Sequence, residues 1–276
     1  VKFQMRDINE LYSKDALNIT SGDLSTQYTI NLLKKFKLTF KDYKNLAEHA
    51  ISKKLIFMCT PWDKQSVDKL EKINVPAYKV SSADLTNLEL IDYISKTKKP
   101  IILSTGMSSE KEIEITVKHL KSKKINFALL HANSTYPAPL KDINLNYIDR
   151  LIKKYSVPIG YSGHERGIAT TLGAVALGAK IIERHLTLDR NMEGPDHSAS
   201  LEKKDFADLI KGIRELEISI GNNKPRIITQ GELINRENLA KSIYAATDIK
   251  EGEIFIDKMF EIKSPGQGLN PQYLET

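Results

Sequence analysis

Cysteine is almost absent from this sequence, with Cys59 alone among 276 residues. A single thiol excludes a disulfide framework and fits a reducing compartment, so a cytoplasmic setting is the expectation. Long apolar runs are missing too. The longest, such as the one ending at Leu130, fall far short of a bilayer span, and no membrane partner is expected. Aromatic residues make up only 7% and do not interleave with the basic ones, which argues against a nucleic-acid surface. Acidic charge is in modest deficit: 35 Asp and Glu against 41 Lys and Arg give a net charge of +6. Lysines such as Lys118, Lys121, Lys123 and Lys124 lie along expected helix faces and read as solvated surface. Their summed field would still favour anionic small substrates. A start methionine is lacking as well. Val1-Lys-Phe-Gln4 carries no secretory-signal pattern and reads as a strand already under way, so the sequence is expected to be a fragment.

What is present is a hydrophobic content of 41%, enough for one large core and a small second unit. Short apolar segments recur at intervals of roughly 22 to 31 residues: Leu55–Cys59, Ala77–Ser81, Ile101–Ser104, Phe127–His131, Pro158–Tyr161 and Lys180–Glu183. Each is nearly continuous in apolar character, as strands covered on both faces are. Helix patterns fill the intervals. Ile113, Val117 and Leu120 share one face behind a Ser109–Glu112 capping box. Phe206, Leu209, Ile210, Ile213 and Leu216 make a fuller stripe. Alternating strands and helices predict a parallel α/β fold. With Val1–Gln4 there are seven strands, one short of a closed (β/α)8 barrel; a doubly wound open sheet has the same periodicity. The barrel is expected over residues 1–221 and a linker over 222–235. The remainder, 236–276, contains β-rich stretches at Ser242–Ala246 and Ile254–Ile256. It is too short for a robust core of its own and is expected to pack on the barrel or on a partner subunit.

In a parallel barrel, chemistry gathers at the C-terminal strand ends. Polar residues crowd there: Lys2 and Gln4; Thr60; Lys79, Ser81, Ser82 and Asp84; Ser104 and Thr105; His131, Asn133, Ser134 and Tyr136; Ser162 and His164; Glu183 and His185. His164 and His185 end consecutive strands, so their imidazoles should meet and could hold a divalent metal, or merely hydrogen-bond in a polar rim. Lys2 and Lys79 face the same mouth. With Thr60, Ser82 and Ser104 they could cradle a phosphate and a carboxylate. One of them could instead be paired with Asp84, or serve as a Schiff-base nucleophile. Cys59, inside an apolar strand, reads as packing.

The runs Lys2-Phe-Gln4, Tyr78-Lys-Val-Ser-Ser-Ala-Asp84, Pro100-Ile-Ile-Leu-Ser-Thr-Gly-Met107, Gly160-Tyr-Ser-Gly-His164, Ile182-Glu-Arg-His-Leu-Thr187 and Glu193-Gly-Pro-Asp196 resemble the sialic-acid (N-acetylneuraminate) synthases and their legionaminic- and pseudaminic-acid relatives. The tail from Arg236 to Pro271 resembles the antifreeze-like (SAF) β-clip domain of that family. The resemblance implies a TIM-type (β/α)8 barrel that here lacks its first βα unit, with a shortened SAF domain behind it. It implies condensation of phosphoenolpyruvate with an N-acyl hexose such as N-acetylmannosamine, giving a nine-carbon 2-keto acid and phosphate. By the same resemblance, His164 and His185 hold Mn²⁺ or Mg²⁺. Lys2, Thr60, Lys79, Ser82, Ser104 and Tyr136 match phosphoenolpyruvate positions. Gln4, Glu183 and Asp196 match positions near the sugar or metal, and Ser162 lies among them. Ser134 stands where an asparagine is common. Family members form domain-swapped homodimers, the partner expected here.

Two departures bear on substrate. Lys263-Ser-Pro-Gly266 replaces the family's Lys-Arg-Pro-Gly, so Ser264 takes the place of an arginine that reaches the sugar. Gly160-Tyr-Ser-Gly-His164 leans towards a legionaminate-type substrate. A lysine aldolase using Lys79 and a non-catalytic sugar-binding remnant are the competing readings.

Overall fold

The computed structural model describes residues 1–18 and 24–274, so the last two residues of the expected 236–276 domain lie outside them. The chain divides into two compact units, Val1–Gly221 and Asn222–Thr276.

The first unit holds seven strands: β1 (Lys2–Met5), β2 (Met58–Pro61), β3 (Tyr78–Val80), β4 (Ile101–Ser104), β5 (Phe127–Ala132), β6 (Ile159–Gly163) and β7 (Ile182–Arg184). They pair in sequence order, all parallel. Each parallel step needs a crossover, and helices supply it. Their inward faces are apolar. Val67 and Leu70, Ile91 and Ile94, Ile148 and Leu151 are buried against the sheet. Ile113, Val117 and Leu120 are buried on the helix Glu110–Ser122, whose start is fixed by the Ser109–Glu112 capping box.

The sheet curls as a TIM-type wall and is not laid out flat. The two end strands, β1 and β7, do not pair with each other, yet Lys2 Nζ on one lies 3.7 Å from Glu183 Oε1 on the other. The ends of the wall thus face one another across its mouth, which settles the open-sheet alternative in favour of the barrel.

Four sequence expectations need correction. The segment Leu55–Cys59 forms its strand three residues later. Leu55 and Ile56 are 53% and 67% exposed in the turn before it, and the Ile56 carbonyl accepts from the Val1 amine. On the helix Lys203–Ile220 only Leu209 of the expected stripe is buried, while Ile210 faces solvent. In the second unit, β8 (Ser242–Ala245) pairs antiparallel with β9 (Phe260–Lys263), not with Ile254–Ile256. Ile254 and Phe255 are exposed, so their apolar character reflects no ladder. The helix Gln230–Leu239, capped by Thr229 and Glu232, begins inside the stretch expected as linker. Ser264 Oγ accepts from Lys241 Nζ at 2.7 Å and donates to the Leu239 carbonyl at 3.1 Å.

Candidate active site

Parallel pairing brings every strand's C-terminal end to one edge, and there the first unit encloses a cavity of about 230 Å³. Lys2, Gln4, Thr60, Lys79, Ser82, Ser104, Ser134, Tyr136, Ser162, His164, Glu183 and His185 all line it. Asp196, from the loop after β7, does not line it but reaches towards its rim, with Oδ2 3.7 Å from His185 Nδ1.

Strand alternation explains the grouping. Lys2 and Gln4 are two apart on β1 and so share its inner face, with Thr60 of β2 in register with Gln4. Lys79 is in register with Ile102, which puts Ser104, two residues on, within reach. Lys79 Nζ donates to Ser104 Oγ at 2.7 Å and to the Val80 carbonyl at 2.8 Å. Neither lysine pairs with Asp84, whose carboxylate instead accepts from Ser81 at 3.2 Å and Asn87 at 3.0 Å. Lys2 Nζ donates to Thr60 Oγ1 at 3.4 Å, and Ser162 Oγ donates to Glu183 Oε1 at 3.2 Å.

The electrostatics follow from burial. Lys79 is fully enclosed, and desolvation lowers its pKa to about 8, with the nearby carboxylate of Glu183 opposing the fall. Burial alone would push Glu183 up, but Lys79 and Lys2 hold it below the usual carboxylate range. Beside them is a polar hollow. Gly106 passes so close to two hydroxyls that a Cβ there would lie 2.2 Å from Ser134 Oγ and 2.7 Å from Ser82 Oγ. Ser134 Oγ is buried with no hydrogen-bond partner among the described residues. A buried hydroxyl left unpaired in the same cavity as a buried ammonium is suited to an anion's oxygens.

The histidines do meet. The rings of His164 and His185 are 5.4 Å apart, and Tyr136 stands 4.3 Å from the first and 5.8 Å from the second. His164 Nδ1 is 2.6 Å from the Asn133 carbonyl, which can only accept, so Nδ1 carries the proton and Nε2 of the neutral ring keeps its lone pair. Burial lowers the pKa of both imidazoles, keeping them neutral at physiological pH. Burial pushes the Tyr136 phenol up to about 12. Among the described residues, no group of three or more His, Cys, Asp or Glu side chains is gathered as a metal cluster. The pair can therefore supply two ligands and leaves the other positions to small molecules. Cys59 is fully buried, and desolvation raises its thiol to about 12, so it packs and does not react.

Sequence reasoning missed the support behind the pair. Glu165, next to His164, and Arg184, next to His185, form an ion pair at 2.8 Å with both side chains fully buried. Tyr161 donates to Glu165 at 2.7 Å, and Arg184 also donates to the Gly167 carbonyl at 2.9 Å. The signal was available: on β7 the flanking Glu183 and His185 face the mouth, so Arg184 must face away. Trp62 was missed as well. It lines the cavity, donates through Nε1 to Gln4 Oε1 at 3.0 Å, and lies under the Arg6 guanidinium at 4.7 Å.

With the geometry in hand, the comparisons with known proteins are specific. The sequence profile of the NeuB family matches residues 1–225. The chain belongs to the NeuB family. An uncharacterized protein of Methanocaldococcus jannaschii is 41% identical over 88% of this chain and 72% of its own length. The N,N'-diacetyllegionaminic acid synthase of Campylobacter jejuni is 37% identical over 100% of this chain and 84% of its own. Among solved structures, the N-acetylneuraminic acid (sialic acid) synthetase of Leptospira borgpetersenii, in complex with citrate, superposes with a TM-score of 0.76. It is 35% identical, and the match covers 86% of this chain and 80% of that one. This NeuB-family chain is thus one of a family of synthases, on a TIM-type fold.

Proposed function

We propose that this chain condenses phosphoenolpyruvate with the aldehyde of an N-acyl hexose, forming a nine-carbon 2-keto acid and releasing phosphate. The observation that carries the reading is one cavity lined both by a buried Lys79–Ser104 pair with the unpaired Ser134 hydroxyl and by two neutral imidazoles. The first part suits the phosphate and carboxylate of the enolpyruvate, held by Lys2, Lys79, Thr60, Ser82, Ser104 and Ser134. The second suits a divalent cation, Mn²⁺ or Mg²⁺, held by His164 and His185. When bound, that cation supplies Lewis acidity at the aldehyde oxygen.

The chain's own residues do the rest. The lysines fix the enolpyruvate so that its carbon 3 faces the aldehyde carbon, and such positioning can lower the barrier by about 7–11 kcal/mol. Gln4, Ser162 and Asp196 orient the sugar. Glu183, kept ionised by two lysines, is the base within the same cavity for the water that adds at carbon 2; phosphate then leaves. Tyr136, neutral, covers the imidazoles and excludes water. We further propose that the second unit is an antifreeze-like domain and that the protein works as a homodimer.

The test is phosphate release from phosphoenolpyruvate with and without N-acetylmannosamine or a legionaminate-type precursor. Release is expected only with sugar and divalent metal together. Turnover that survives exhaustive chelation, or is unaltered in His185→Ala, would exclude the metal assignment. A Schiff-base aldolase is favoured by one observation, the pKa of Lys79 lowered to about 8. Borohydride with pyruvate would then trap an adduct on Lys79. We expect none, because Nζ already donates to Ser104 and to Val80. Sugar binding with no phosphate release under any condition would mark a non-catalytic relative.

A further inference from the structure

Gln4 and Trp62 both line the active-site cavity, and the chemistry of its neighbours fixes which way the Gln4 amide points. Trp62 Nε1 donates to Gln4 Oε1 at 3.0 Å, and the Arg6 guanidinium donates to the same oxygen. An indole N–H and a guanidinium can only donate, so the amide atom between them is the carbonyl oxygen. That oxygen has two lone pairs, and both are taken. The end left over is Nε2, which has no hydrogen-bond partner among the described residues.

The three side chains also hold one another. The Arg6 guanidinium stacks 4.7 Å over the Trp62 ring, so each donor to Oε1 steadies the other. Their backbones are tied as well. Gln4 is in register with Thr60, the Trp62 N–H donates to the Met5 carbonyl at 3.0 Å, and the Tyr43 hydroxyl donates to the Gln4 carbonyl. A glutamine on a polar wall ordinarily turns about its last torsion and presents either end. Turning this one would set Nε2 against two donors and break both hydrogen bonds.

We propose that Trp62 and Arg6 are positioning residues that lock the Gln4 amide as a donor-only contact, with Nε2 donating to an acceptor oxygen of the sugar. This rests on the condensation reading, in which Gln4 orients the sugar, and adds which end of the amide does so and what enforces it. A fixed donor discriminates against a sugar with no oxygen at that point, because Nε2 is then left without a partner.

Phosphate release at varied sugar and saturating phosphoenolpyruvate tests the lock. Gln4→Glu keeps the shape but turns donor into acceptor, so the KM of N-acetylmannosamine should rise about tenfold or more. Trp62→Phe keeps a ring under Arg6 and loses the N–H; Arg6→Met removes the other donor. Each should raise the sugar KM about two- to tenfold, with kcat and the KM of phosphoenolpyruvate within about twofold. Added to Gln4→Ala, neither should cost anything further, since both act through the amide. An unchanged sugar KM in Gln4→Glu, or a Trp62→Phe penalty that persists on Gln4→Ala, would overturn the proposal.

Should no sugar support phosphate release, the condensation reading fails while the lock stays measurable. Trp62 is the only tryptophan, so its indole N–H gives a single signal in a nitrogen-resolved proton spectrum. That signal should move upfield and exchange faster with water in Gln4→Leu, and stay downfield in Gln4→Glu, which keeps an acceptor there. An indole signal indifferent to Gln4→Leu would overturn the lock. Calorimetry then decides the sugar contact: N-acetylmannosamine bound as tightly by Gln4→Glu as by the unaltered chain would overturn it.

Discussion

Lys79 is the residue on which the proposed anion site turns. Free of ligand, its pKa is lowered to about 8 by complete burial, so below that pH it offers a positive charge and above it a neutral amine. Anion binding needs the charged form. Phosphoenolpyruvate affinity should therefore be flat below about pH 8 and fall about tenfold per unit above it, as binding takes up a proton. Isothermal titration across pH 6.5 to 9.5 checks this; an affinity that rises with pH would contradict it. Gly106 is the second telling residue. Gly106→Ala should destabilise by about 1–3 kcal/mol, since the new methyl meets the Ser134 hydroxyl. Adding Ser134→Ala should recover part of that stability in urea unfolding without restoring anion affinity. These single residues were legible as a set, because Lys2, Lys79 and the serines all fall at strand ends. The unpaired state of Ser134 was not, since it depends on packing that only coordinates reveal.

At the scale of elements, the buried Glu165–Arg184 pair joins the end of β6 to the end of β7, one residue beyond His164 and one before His185. It holds the two imidazoles' backbones together without touching the cavity. Arg184→Met leaves Glu165 buried and unpaired, which should cost about 3–5 kcal/mol. Glu165→Gln with Arg184→Met should cost markedly less by urea unfolding. Equal losses would show that the pair is not the connection between the strands. The strands themselves were mostly legible, because continuous apolar runs mark elements covered on both faces. Leu55 and Ile56 misled, as did Ile254–Ile256: short apolar runs in exposed turns look the same as strands. The helix at Gln230 hid behind an Asn-Asn-Lys-Pro stretch, although its Thr229–Glu232 capping box was readable.

Across the whole first unit, what matters is curvature. A flat parallel sheet would hold Lys2 and Glu183 at opposite edges; here they lie 3.7 Å apart, and the ring of strand ends encloses one cavity. Periodicity could not distinguish the two arrangements, since curl accumulates over seven strands and is written in no single segment. The motif resemblance did distinguish them, because it carried long-range order that local patterns lack. The central claim is that this cavity unites a site for the enolpyruvate anion with a site for the sugar aldehyde beside the histidine pair that would hold a divalent metal. It is tested most directly by following phosphate and 2-keto acid together, with phosphoenolpyruvate, an N-acyl hexose and Mn²⁺ present. The account predicts that the two products appear in equal amounts and that omitting sugar or metal abolishes both. Phosphate released without sugar, or keto acid formed after complete removal of metal, would contradict it.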